Sequence, residues 1–388
     1  MDINKFNQIF NDKYAHSLKK LKYKYSDDFD EYMSVLNDLY YKKLPICDFS
    51  GKNIVFIPSC CKVNVSAFKT LISAQERAYG EKAVEDEIIS TAKIESIDYS
   101  RESVRNILKG YAPKDEIEKR ILGMKNGFEF IADRNNIINK ENIGKLYAMS
   151  VGDYLDEELQ LKNGCFYRHD DVFVVGAKVE HTGMNHSKIT GAMDKLIAFI
   201  NAKDDIDELA KAAMIHFYIG YIHPYFDGNG RMARLMHLWY LVQKGYGTTL
   251  FIPFSSYISK SVKNYYDAYT VTEENKKESG VIDVTAFVKY FSEYVYDKLS
   301  EYEVSADVFG KYRLEVANGT FTEKETQLWQ FVVSRYGAES FSTKQLEKDF
   351  SDAAYATIRS FVLKFEKLGF LTSTHYGNRV KYKITQGK

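Results

Sequence analysis

His223-Pro224-Tyr225-Phe226-Asp227-Gly228-Asn229-Gly230-Arg231-Met232-Ala233-Arg234 is the most informative stretch of this chain. It follows an apolar run from Asp205 to Ile222, rich in Ala, Ile and Met, that reads as a helix. A proline pushes the residue before it out of helical geometry, so that helix ends at His223. A second apolar helix then runs through Leu235, Leu238, Leu241 and Val242 and stops at Gly245. The stretch between is a loop feeding a helix N-terminus, with two glycines that let a ligand come close to the backbone.

Backbone N–H groups at a helix start, together with the positive end of the helix dipole, form an anion site. Arg231 and Arg234 sit three apart on one helical face and offer fork-shaped charge suited to phosphate. Asp227 is placed to hold a hard cation that bridges phosphate oxygens. His223, across the loop, is a general-base candidate with an ordinary pKa near 6.5. Each piece alone has a plain explanation: Asp-Gly-Asn-Gly is a common turn, His-Pro commonly ends a helix, and surface arginines usually meet water. A base, an acid, an anion loop and two arginines within twelve residues together point to phosphoryl or nucleotidyl transfer.

The stretch resembles the signature of Fic-domain proteins, His-Pro-Phe-x-(Asp/Glu)-Gly-Asn-Gly-Arg-x-x-Arg, with Tyr225 in place of Phe as the departure. That position is a core aromatic in the family, so a packing change is expected there. By element order the resemblance extends over roughly residues 130–300. It implies protein adenylylation, with AMP passing from ATP to a Ser, Thr or Tyr hydroxyl of a target protein. His223 would be the catalytic base and Asp227 the Mg²⁺ ligand. Gly228, Asn229 and Gly230 would cradle the phosphates, Arg231 would engage the triphosphate, and Arg234 its γ-phosphate. Doc-type relatives, which move the γ-phosphate, replace the second glycine of the loop; Gly230 and Arg231 are intact here.

Around this core, residues 115–222 are mostly helical in pattern, with one exception at Phe166–Val179. Two β-rich runs there flank His169-Asp170-Asp171 and predict a hairpin turning at those residues. By resemblance this is the family's flap, with Val172, Phe173, Val174 and Val175 beside the nucleotide and the target aligned by strand pairing. Family members carry two prolines just after the flap, where this chain has Glu180-His181-Thr182-Gly183. Tyr265-Tyr266 resembles a paired aromatic that approaches the nucleotide, with a core role as the alternative. His216 lies on the face of His223, seven residues earlier, and reads as a buried structural histidine.

Upstream, Ala83–Ile97 reads as a helix with Val84, Ile88, Ala92 and Glu95 near one face. Its Thr91-Ala92-Lys93-Ile94-Glu95-Ser96 resembles the family's inhibitory motif, (Ser/Thr)-x-x-x-Glu-(Gly/Asn), and departs at Ser96. The resemblance implies that Glu95, supported by Thr91, takes the fork of Arg234 meant for the γ-phosphate. An ordinary solvent-facing glutamate is the alternative. A short strand pair is expected near Asn53–Pro58.

Residues 320–388 look separate: helices at Glu323–Tyr336, Thr343–Phe350 and Ala354–Leu368, then strands Phe370–Thr374 and Arg379–Ile384, which together suggest a winged helix. This segment holds eleven Lys+Arg against seven Asp+Glu. Lys364, Lys367, Arg379, Lys381 and Lys383 fall on its third helix and wing, so DNA is a candidate partner. The expected architecture is mainly α: an N-terminal helical region over 1–125, a Fic-type core with a β-hairpin flap over 126–312, and a winged-helix-like domain over 313–388.

Composition frames these readings. The chain has 388 residues, 53 Lys+Arg and 53 Asp+Glu, which argues against bulk electrostatic coating of nucleic acid and leaves a local patch as the route to it. A hydrophobic fraction of 45% excludes a wholly disordered chain. No run approaches the roughly 18 consecutive apolar residues of a membrane span, and the polar start Met1-Asp2-Ile3-Asn4-Lys5-Phe6 is no secretory signal. Four cysteines without Cys-x-x-Cys spacing suit a reducing cytosol, so a cytoplasmic protein is expected. No P-loop and no His-Glu-x-x-His occur. A homodimer is a further candidate assembly, and other phosphotransfer or de-adenylylation at the same site, or DNA-binding regulation, are the competing functions.

Overall fold

The computed structural model describes residues 1–61, 63, 80–175, 180–246, 253–300, 311, 312, 314–316, 318–336, 340–377 and 379–385. They fall into two units: the described residues of 1–63, 88–246 and 254–295, and those of 80–87, 253 and 296–385. The fold is mainly α-helical with short strands.

In the first unit, helices α1 (Ile3–Phe10), α2 (Leu18–Lys24) and α3 (Phe29–Val35) bury Phe6, Ile9, Leu21, Phe29 and Tyr32 in a common core. The hairpin β1 (Lys42–Cys47) and β2 (Asn53–Phe56) follows, so the expected strand pair begins earlier than Asn53. Val55 clasps the far end of the unit: its N–H donates to Ile282 O at 2.9 Å and its carbonyl accepts from Val284 N–H at 2.9 Å.

Helix α4 (Gly80–Ile94) carries the Thr91–Glu95 segment. Its C-terminus is closed by Ser96, whose φ of 59° is left-handed. Helices α5 (Arg101–Leu108), α6 (Glu116–Ala132) and α7 (Lys140–Ser150) lead to the signature region, and α5, α6 and α7 each begin at a cap, Ser100, Asp115 or Asn139, whose side chain accepts a first-turn N–H.

The hairpin is β3 (Phe173–Val175) paired antiparallel with β4 (Glu180–Thr182), Val174 opposite His181. The turn expected at His169-Asp170-Asp171 is not formed. Arg168 explains why: its own N–H donates to Pro224 O at 3.0 Å and its guanidinium is spent on backbone carbonyls, which pins 166–171 as irregular chain instead of a strand. Glu180-His181-Thr182, read as lying after the flap, forms its second strand.

Helix α8 (His186–Asn201) then leads to the centre of the unit, the pair α9 (Glu208–Ile222) and α10 (Asn229–Gln243). Asp207 caps α9 by accepting from Leu209 and Ala210 N–H. Nearly every α9 side chain is buried, so α9 shows no polar face. Even Lys211 is buried, held by Asp204 at 2.7 Å and lying 4.6 Å from the ring centre of Phe199. Helices α11 (Phe254–Lys260), α12 (Val262–Ser279) and α13 (Thr285–Phe291) pack outside this pair.

The second unit contains α14 (Glu323–Tyr336), α15 (Thr343–Phe350) and α16 (Tyr355–Lys367), then the hairpin β5 (Leu371–Tyr376) and β6 (Arg379–Ile384). Trp329, Phe361, Phe365 and Phe370 form its core. Phe341 exchanges both backbone hydrogen bonds with Tyr382, at 2.8 and 2.7 Å, which ties the hairpin to the start of α15. Gly369, with φ of 79°, ends α16.

Candidate active site

Both ends of the signature loop are held by its own sequence. At its start His223 caps α9 with φ 54° and ψ 66°, a left-handed conformation that costs a non-glycine residue about 1–3 kcal/mol. Its ring Nδ1 lies 2.8 Å from Gly220 O. A carbonyl only accepts, so Nδ1 carries the proton and Nε2 is the basic nitrogen of the neutral ring. The side chain is partly exposed, as a base acting on an incoming hydroxyl requires.

Tyr225 takes the core position expected of it. It is 1% exposed and stacks on Tyr147, ring centres 3.7 Å apart and 6° from parallel. Among the described residues its hydroxyl meets no hydrogen-bond partner, so the departure from Phe adds a buried polar atom there.

The Asn229 side chain serves the loop itself. Its Oδ1 accepts from Tyr225 N–H at 3.0 Å and its Nδ2 donates to Tyr225 O at 2.9 Å. The side chain is a staple that shapes the loop, and only its backbone is left to face a phosphate. Gly228 precedes α10 with φ of 79°, and a Cβ there would lie 2.3 Å from Val151 Cγ1, so conformation and space both require glycine. The first amides of α10 have no carbonyl one turn back to bond, which leaves donors at the mouth of the loop.

Asp227 is half-exposed; its Oδ1 accepts from Gly228 N–H at 2.6 Å and its Oδ2 pairs with Arg231 Nη2 at 3.1 Å. Its backbone carbonyl accepts from Tyr147 OH at 3.4 Å. Among the described residues no three metal-ligating side chains cluster.

Arg234 is 4% exposed and meets the upstream helix. Its Nε donates to Thr91 Oγ1 at 2.5 Å, and Nη2 donates to Glu95 Oε1 at 2.6 Å and to Thr91 O at 3.4 Å. Burial works against the guanidinium charge, and the Glu95 carboxylate more than offsets it, so the pKa of Arg234 lies above its ordinary value. The same carboxylate packs on the loop: a Cβ on Gly230 would lie 2.3 Å from Glu95 Oε1. Thr91, Glu95, Gly230 and Arg234 thus meet at one point.

The paired aromatic splits. Tyr265 is a core residue, 3% exposed, with its hydroxyl 2.8 Å from His216 Nε2, so it presents no surface to a nucleotide. Tyr266 is 50% exposed and lies within the fields of Glu95 and Arg234. His216 is fully buried, as a structural histidine should be. Val172 is partly buried at the base of the hairpin, while Phe173, Val174 and Val175 contribute the backbone of β3. In the second unit Lys364, one of the basic residues that made DNA a candidate partner, donates to Glu325 Oε2 at 2.8 Å and to Thr320 O at 2.9 Å, so it is spent inside its own unit. Two residues without a sequence signal also serve the site: Tyr147 under the loop, and Arg168, whose Nε donates to His223 O at 2.7 Å.

The signature loop lies within a stretch that resembles known proteins. Residues 137–241 match the Fic/DOC family model, and the chain therefore carries a Fic/DOC-family domain. It is similar to the protein adenylyltransferase Fic of Culex quinquefasciatus, 24% identical over 240 residues that cover 59% of this chain and 43% of that protein. It is likewise similar to the protein adenylyltransferase Fic of Aedes aegypti, 24% identical over 221 residues covering 56% and 39%. The chain thus spans less than half the length of these relatives. A crystal structure of a Fic family protein from Desulfovibrio desulfuricans G20 shares the fold, with a TM-score of 0.50 at 16% identity over 84% of this chain and 95% of that one. No helix among the described residues is long and apolar enough to cross a membrane.

Proposed function

We propose that the protein is an adenylyltransferase that moves AMP from ATP to a Ser, Thr or Tyr hydroxyl of a target protein, and that Glu95 holds it in an inhibited state. In this reading Nε2 of His223 takes the proton of the target hydroxyl as its oxygen attacks the α-phosphorus. The bond to the β-phosphate oxygen breaks and pyrophosphate leaves. The α10 N-terminus, Arg231 and Arg234 hold the triphosphate and favour the charge that develops on it. Asp227, a half-exposed hard oxygen donor beside the anion loop, fits Mg²⁺, whose shell phosphate oxygens and water would complete. Bound there, the ion would neutralise charge on the phosphates.

The observation that carries this reading is the Glu95 carboxylate seated on Arg234 and against Gly230. The chain already supplies an anion to the place its signature loop builds for one. An ATP whose γ-phosphate needs that fork must displace Glu95 or bind in an unproductive pose.

The test is transfer of label from α- and γ-labelled ATP with Mg²⁺ by wild type, Glu95→Gly and His223→Ala. Label from the α position that rises with Glu95→Gly and is lost when His223→Ala is added supports the proposal. Label from the γ position alone makes the protein a kinase and overturns it.

A further inference from the structure

Arg168 is 2% exposed, yet among the described residues its guanidinium comes no nearer to a carboxylate than 3.7 Å, the separation from Asp171. It donates instead to three backbone carbonyls. Nε reaches His223 O at 2.7 Å, Nη1 reaches Asp170 O at 2.5 Å, and Nη2 reaches Met184 O. Burying a guanidinium on carbonyls is costly unless its donors are satisfied in good geometry. What it joins gives the reason. Asp170 and Met184 lie on the two sides of the β3–β4 hairpin, and His223 is the left-handed residue that ends α9.

Further bonds knit the same place. Met184 N–H donates to Ile222 O at 3.0 Å, Gly183 N–H to Val172 O at 3.2 Å, and Arg168 N–H to Pro224 O at 3.0 Å. Arg168 therefore stands at the C-terminal end of α9, where carbonyls lack helical partners and the dipole favours a cation. Strained backbone at a reacting residue persists only where its surroundings over-determine it. Arg168 supplies the bond on the carbonyl side of His223, and Gly220 O holds the ring.

We infer that Arg168 is a positioning residue that locks His223 in its reactive orientation and couples that orientation to the base of the hairpin. The inference rests on the adenylyl-transfer reading and deepens it. Arginine is needed because a planar fork reaches three carbonyls at once; a lysine ammonium is a single point of charge on a flexible stem. Gly183 belongs to the same device. A Cβ there would lie 2.8 Å from Arg168 Nη2, 3.0 Å from Val172 Cγ2 and 3.1 Å from His223 Cβ.

The experiment uses the full chain carrying Glu95→Gly as parent, with α-labelled ATP and a fixed protein extract as acceptor. Arg168→Lys, Arg168→Gln and Gly183→Ala are compared with the parent for rate at saturating ATP, half-saturating ATP concentration and melting. The expected result is a loss of rate of about 100-fold, the scale of an ångström-sized misplacement, while half-saturation by ATP stays within about twofold, because the triphosphate donors on α10 are untouched. A purely structural role would lower melting while leaving that rate intact in whatever folds, and overturns the inference. So does a loss that appears in ATP half-saturation with the rate preserved. Gly183→Ala keeps the charge in place, so its rate decides the matter where the Arg168 variants melt. A parent that transfers no AMP removes the reading beneath, and the inference falls with it; a parent that transfers while the folded variants match it overturns the inference alone.

Discussion

Glu95 and Arg234 meet at 2.6 Å, with the guanidinium 4% and the carboxylate 25% exposed. Thr91 completes the contact by accepting from Nε, so the arginine is held from the C-terminal end of α4 and the residue that follows it. The cost of undoing this falls on Arg234, which is buried and would be left with fewer acceptors.

Thr91→Ala removes the acceptor for Nε while leaving Glu95 in place. AMP transfer is expected to rise above wild type but stay below Glu95→Gly, and stability is expected to drop by about 1–3 kcal/mol, the scale of a buried charged donor left unmade. Label transfer and urea unfolding check the two parts.

Gly230→Ala places a methyl group 2.3 Å from Glu95 Oε1 and 3.3 Å from Arg234 Nη1. It evicts the carboxylate, but it fills the same space a phosphate would need. ATP affinity measured by calorimetry is therefore expected to be at least about tenfold weaker than in Glu95→Gly, and combining the two changes should not restore it. Tight ATP binding by Gly230→Ala would contradict a shared site.

Ser96 closes α4 at φ 59°, a conformation that glycine and asparagine reach with least strain. Ser96→Asn is expected to raise the melting temperature slightly. Ser96→Val, β-branched and barred from this region, should lower stability by at least about 1 kcal/mol. If the helix end is what holds Glu95 in register, Ser96→Val also raises AMP transfer.

Two buried histidines predict a pH dependence of folding. Burial holds His216 well below its ordinary range, with the charges of His237 and Arg234 acting the same way, and burial alone pushes His237 down to about 3. The unfolded imidazoles take up protons near pH 6.5 while the folded ones stay neutral. The unfolded state then binds more protons, so stability is fully present above pH 6.5 and falls as pH drops from there toward 3. Two such groups give a slope approaching about 2.7 kcal/mol per pH unit, and His237→Phe should remove about half of it. Urea unfolding at pH 7, 6 and 5 measures the slope.

Much of this molecule is legible before folding, and the exceptions share a cause. The loop from His223 to Arg234 is local: proline, glycines and charges act within a turn or two of one another, so spacing alone reports the loop and the helix it feeds. Glu323–Tyr336 and Thr343–Phe350 are read at their observed bounds because each has apolar residues at helical spacing between polar turns. Phe166-Tyr167-Arg168 looks like a strand because aromatic residues favour one, but the acceptors of Arg168 come from chain that lies up to 56 residues away, at Pro224. Tyr265 and Tyr266 are equivalent in sequence, and only packing against His216 turns one inward. Asn229 shows the same limit at close range, since its composition suits a phosphate and its two bonds to Tyr225 show it serving the loop.

The two partners of the Arg234 contact are 139 residues apart in one polypeptide. Their encounter is therefore first order, governed by an effective local concentration rather than by how much protein is present. On the reading proposed above, dilution of the chain leaves the pair as occupied as before. On that reading, release comes from something that competes for the guanidinium or alters the helix end beside Glu95, and its threshold is set in units of that competitor.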